Sequence, residues 1–122
     1  MPQYMLLIYS PEGRWDSAPE DERNAVYAEY GRLAGELQQR GAMRGGAELQ
    51  PTSTATCVRV RDGESLVTDG PFAETKEQLG GYFLVQAESL DDALEWAGKI
   101  PTARHGTVEV RPIVERDTGR PE

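Results

Sequence analysis

The chain has 122 residues, of which 28% are charged and 38% hydrophobic, and its 13 Lys and Arg against 21 Asp and Glu give a formal net charge of −8. The length suits one domain around one core. The charge excludes a broad basic surface for nucleic-acid phosphates or for an anionic membrane.

The longest apolar run, Tyr4-Met5-Leu6-Leu7-Ile8-Tyr9, has the length of a strand and not the roughly 20 residues of a membrane helix. It lies close to the start, with no basic segment before it and no small-residue cleavage site after it, unlike a signal peptide. Its continuous apolarity predicts a strand buried on both faces. The single Cys57 leaves no internal disulfide, so the expected compartment is the cytoplasm.

Ser10-Pro11-Glu12-Gly13 ends that strand. Ser17 and Glu20 are spaced as a capping box with Pro19 in the first turn, which predicts a helix from about Ala18 to Arg40. Its apolar stripe is Val26, Tyr30, Leu33 and Leu37. Gly31 and Gly35 share a face with Tyr27 and would allow close backbone approach, and Gly41 is a natural stop.

Between Gly41 and Pro51 only a short strand around Ala47 to Gln50 suggests itself. Thr54 to Arg61 alternates, Asp62-Gly63 supplies a two-residue turn, and Glu64 to Asp69 returns, the signature of a hairpin. Its register sets Arg61 opposite Glu64, Val58 opposite Val67 and Thr56 opposite Asp69. Asp69 then shares a face with Val58, Val60 and Val67.

Leu79 to Ala87 reads as a second central strand, with Gly80-Gly81 marking a bulge or a close approach. Ser89 caps a second helix whose stripe is Leu90, Ala93, Leu94, Ala97 and Ile100, with Trp96 at its margin. Thr107 to Glu115 is a last strand, placed at an edge by Pro112. Residues 1–115 are thus expected to form one domain, followed by a flexible tail over 116–122. The element order is that of an α+β, ferredoxin-like split β-α-β sandwich: an antiparallel sheet, two helices on one face, and an extra β-hairpin. The other sheet face would stay bare, so a homodimer packed sheet against sheet is expected.

The densest cluster of ionisable groups is Asp69-Gly70-Pro71-Phe72-Ala73-Glu74-Thr75-Lys76-Glu77. With the following Gln78-Leu79-Gly80-Gly81-Tyr82, this stretch resembles the signature of the DGPF proteins within the YCII-related group. Tyr4 to Tyr9, Gly45 to Pro51 and Gly106 to Pro112 are similar to it as well, so the resemblance covers about residues 3–115. It implies a dimeric ferredoxin-like fold in a bacterial cytoplasmic protein, often encoded beside extracytoplasmic-function sigma factors, and it implies no established reaction. Some YCII relatives are enzymes, or proposed enzymes, with a His–Asp pair and aromatic-ring or lactone substrates. By spacing, Tyr30 and Ile100 stand near those two positions here, so the pair is not carried over.

The expected site is a small-molecule pocket lined by Gly70, Pro71, Phe72, Glu74, Lys76 and Glu77, with Tyr9 and Tyr82 nearby. Asp69 would be the candidate general base and His105 the candidate proton carrier. Each has a plainer reading: Asp69 capping its own turn, the acids and Lys76 pairing at the surface, His105 as a loop residue, the aromatics as core. An enzyme acting by proton transfer or elimination on a small cyclic or carbonyl substrate is the first alternative. A module that docks a sigma factor through an acidic face is the second. No cofactor is expected, since neither a Walker loop nor a GxGxxG stretch occurs, and one His with one Cys gives no metal-ligand spacing.

Overall fold

Residues 1–73 and 75–116 are described by a computed structural model. In chain order the elements are β1 (Gln3–Ser10), α1 (Glu12–Asp16), α2 (Glu20–Gln39), β2 (Met43–Glu48), β3 (Thr56–Arg61), β4 (Glu64–Asp69), β5 (Gln78–Gln86), α3 (Leu90–Gly98) and β6 (Thr107–Pro112). Short 3₁₀ turns occupy Thr52–Thr54 and Pro101–Arg104. Four strands form one antiparallel sheet in the order β2-β5-β1-β6, and β3 and β4 form a separate two-stranded hairpin. This α+β arrangement is compatible with a ferredoxin-like fold, with the hairpin inserted between the second and third sheet strands.

Alternation along β1 decides where the core lies. Tyr4, Leu6 and Ile8 are buried, and they cluster with Leu33 and Leu37 of α2 and Ala93 and Ala97 of α3. Both helices therefore cover one sheet face. Met5, Leu7 and Tyr9 on the other face are only half-buried, so β1 is not enclosed on both sides as its composition predicts. One layer of helices covers one face, and among the described residues no helix covers the apolar run on the second face. Leu6, Leu37 and Val85 lie at the centre with no exposure, each burial contributing about 1.5–3 kcal/mol.

Several local expectations hold. The hairpin has the predicted register, with Asp62 (φ 52°) and Gly63 (φ 79°) both left-handed in its turn. Gly41 (φ 69°) terminates α2, and the Ala42 amide donates to the Leu37 carbonyl at 2.8 Å. Ser89 Oγ accepts from the Asp92 amide at 3.3 Å, capping α3. β6 is an edge strand.

Others differ. Ser17 does not cap the long helix: it ends α1, and its hydroxyl donates to the Arg14 carbonyl at 3.3 Å, while Pro19 stands at the start of α2 with no side-chain cap. β2 begins earlier, at Met43, because its glycines fit against β5. On α3, Leu90 and Leu94 are each 48% exposed, and the sheet-facing positions are the small Ala93 and Ala97. The last strand stops at Pro112, and of the expected tail, 117–122 lie outside the described residues.

Candidate functional site

Small residues face one another where the middle of α2 passes over β2 and β5. Gly31 and Ala34 of α2 lie above a floor that contains Gly46 and Gly81. A Cβ on Gly46 would stand 2.9 Å from the Tyr82 carbonyl oxygen, and one on Gly81 would stand 2.9 Å from the Ala47 carbonyl oxygen. The floor is therefore backbone, which side chains could not occupy without moving a strand. A Cβ on Gly31 would meet nothing within 4 Å, so the helix opens onto space there and does not approach a neighbour closely. The unfilled layer is a cleft of about 760 Å³, within the roughly 300–1,000 Å³ typical of small-molecule sites.

Aromatic rings make the walls. Tyr30 of α2 stacks on Phe83 of β5 with ring centres 6.2 Å apart. Trp15 of α1 meets Tyr27 of α2 edge-on at 5.3 Å. Tyr30 Oη and Thr102 Oγ1 share a hydrogen bond of 2.6 Å, which ties the wall to the Pro101–Arg104 turn. Burial raises the Tyr30 pKa, with the Thr102 hydrogen bonds opposing.

Polar groups gather at the mouth. Tyr27 Oη donates to both Glu48 oxygens, at 3.2 and 3.1 Å, and its pKa is raised by burial first and by that hydrogen bond second. Glu12 accepts from the Thr52 amide at 2.8 Å and from Thr52 Oγ1 at 3.1 Å, anchoring α1 to the segment between β2 and β3. His105 follows the 3₁₀ turn, its amide donating to the Thr102 carbonyl at 3.1 Å. Its pKa is lowered by burial first, then by Arg14 and Arg104. Arg104 is held away by a two-pronged pair with Glu29, both contacts at 3.0 Å.

The sequence-predicted residues fall in three places. His105 lines the cleft with Gln78 and Leu79 at the start of β5, and Tyr82 belongs to its floor although strand alternation sets the Tyr82 side chain on the other sheet face beside Leu7. Asp69, Gly70, Pro71, Phe72, Lys76 and Glu77 are not among its lining residues, and Glu74 lies outside the described residues. Asp69 is exposed at the end of β4 opposite Thr56, so it does not share the cleft with His105. Gly70 closes the hairpin: its amide donates to the Ala55 carbonyl at 2.8 Å, and a Cβ there would stand 2.9 Å from Ala55 Cβ and 3.1 Å from Cys57 Sγ. Phe72 is exposed beneath the Arg59 guanidinium, 5.2 Å from its ring centre. Lys76 is exposed and pairs with no described carboxylate. Tyr9 lies away from the cleft on the uncovered sheet face, where its hydroxyl donates to Glu109 at 3.3 Å; burial and then Glu109 raise its pKa.

Arg14, Trp15 and Thr102 are cleft residues that carry no motif in the sequence. The nearest signal is the aromatic spacing Tyr27–Tyr30 beside Gly31, which reads equally well as a core stripe. Among the described residues no group of three or more His, Cys, Asp and Glu side chains could hold a metal ion. No helix among them is long and apolar enough to cross a membrane.

Comparison with known proteins agrees with the resemblance drawn from the motif. A family model described as "YCII-related domain" matches residues 2–117. An uncharacterized protein of Rhizobium meliloti (strain 1021) is 37% identical over 112 residues, which cover 90% of each chain.

Proposed function

Since the chain belongs to the YCII-related domain family, and a pocket-sized gap opens between helix and sheet here, we propose that it is a small-molecule-binding protein whose ligand occupies the cleft between α2 and the β2–β5 floor. The observation that carries this reading is the glycine floor facing Gly31 and Ala34. Small residues on both sides of a helix–sheet interface keep a cavity open where packing would otherwise fill it. The ring faces of Tyr30, Phe83 and Trp15 suit a flat ligand.

Asp69 is not a base in this reading, because the cleft takes His105 but not Asp69. The Asp69–Glu77 segment acts at one remove. It joins the hairpin to β5 and so sets where the floor residues Gln78 to Phe83 begin.

The test is calorimetry with two planar probes, naphthoate and the neutral naphthamide, on wild type and Gly31→Leu. Leucine there projects from an open helix position and favours the helix by up to about 1 kcal/mol over glycine. The expected result is binding of at least one probe at one site per chain, abolished in Gly31→Leu with no loss of thermal stability. No binding to wild type, or equal binding to the variant, overturns the reading.

We further infer that the protein is a homodimer. Met5, Leu7, Tyr82 and Leu84 share the uncovered sheet face by the pairing of β1 with β5. Val58, Val60 and Val67 share one face of the hairpin at 63%, 59% and 65% exposure. A two-stranded hairpin is marginal in water without cover, and a second copy supplies it. A sigma factor, the partner implied by the DGPF resemblance, would leave the isolated chain monomeric, so the mass in solution separates the two.

A further inference from the structure

The charged side chains around the cleft are unequally satisfied. Glu12 is committed to Thr52, Glu48 to Tyr27, and Arg104 to Glu29. The Arg14 guanidinium and the His105 imidazole also border the cleft, yet neither makes a hydrogen bond or ion pair with any described residue. Two carboxylates remain at the rim, Asp16 and Glu22, and neither pairs with Arg14. Asp16 is two positions beyond Arg14 on a helix, a spacing at which side chains do not face each other.

Arg14 and His105 come from segments far apart in sequence. α1 carries the first and is anchored through Glu12 to Thr52. The Pro101–Arg104 turn carries the second, and Gly106 locks it in place: a Cβ there would overlap the Tyr9 carbonyl oxygen. Two positively inclined groups thus border one cleft, near enough for Arg14 to lower the His105 proton affinity, and neither is paired with a described carboxylate. Bringing them together costs energy unless an anion lies between them.

We propose that Arg14 and His105 form an anion subsite at one end of the cleft, and that the ligand is a flat aromatic or similarly planar molecule carrying a carboxylate. This rests on the reading of the cleft as a ligand site and adds the class of ligand. The guanidinium offers paired N–H donors matched to two carboxylate oxygens. The imidazole adds one N–H donor in its neutral form and two when an anion draws it into the charged form. The ring of the ligand lies against Tyr30 and Phe83.

The experiment compares naphthoate with naphthamide, which share ring and shape and differ in charge, on wild type, Arg14→Gln and His105→Gln. Wild type is expected to prefer naphthoate by about tenfold or more, the scale of one charge-assisted pair. That preference falls to near unity in Arg14→Gln and is reduced by a smaller factor in His105→Gln, while naphthamide binds all three alike. If wild type binds both probes equally, or the preference is undiminished in either variant, the subsite is overturned and the cleft reading stands. If wild type binds neither probe, both are overturned. Loss of both probes in Gly31→Leu separates binding in the cleft from binding elsewhere.

Discussion

At the scale of single residues, what matters is which polar groups have partners. The His105 imidazole has none among the described residues, and three influences hold its proton affinity down: burial, Arg14 and Arg104. A folded-state pKa below the ordinary 6.5 means the unfolded chain binds its proton first as pH falls. The associated stability is present above the unfolded pKa and is lost as pH falls through the folded one. NMR titration should place the His105 midpoint below 6.5, and Arg14→Gln should move it upward. A midpoint unchanged by that substitution would mean that Arg14 does not act on the imidazole. Tyr30 shows the limit of reading residues from sequence. Its place in the 4-3-4 stripe correctly sets it toward the sheet, but nothing in that spacing distinguishes a core ring from a cleft wall. The difference lies in its opposite number, Phe83, and in the glycines beside it.

At the scale of elements, the pairing of β2 with β5 is the sensitive joint. Gly80 is the extra residue where the register with β1 shifts, since Ile8 pairs with Gly81 but Tyr9 with Leu79. One position further, Gly81 lies against the Ala47 carbonyl oxygen. Gly81→Ala should destabilise the fold by about 1–3 kcal/mol in chemical denaturation, because the obstructing atom is backbone and β2 must shift. A smaller loss would show that β2 is loosely held. The sequence already marked Gly80-Gly81 as a bulge or close approach, and both occur. The hairpin was legible to the residue because Asp-Gly dictates its turn. α1 was not: five residues with no apolar period leave no trace beyond the Ser10-Pro11 break. Its Arg14 and Trp15, both lining the cleft, therefore carry no signal in the sequence. The Asp69–Glu77 segment is the densest in charge, yet of its described residues Gly70 closes the hairpin and none lines the cavity.

At the scale of the whole molecule, one helical layer serves a sheet with two apolar faces. The element order predicted this, because two helices of this length fill one face only. If the second face and the hairpin are covered by another copy, light scattering should return the mass of two chains. Leu84→Lys, which places a charge at the centre of the uncovered face, should return the mass of one. A monomeric wild type would sink the homodimer and favour a partner of different sequence. The bonds from Glu12 to Thr52 span forty positions of chain. With the backbone between them they close a hoop that carries α2 and β2 on its circumference and forms part of the cavity's border. That border cannot swing like an independent flap unless the clasp is first unfastened.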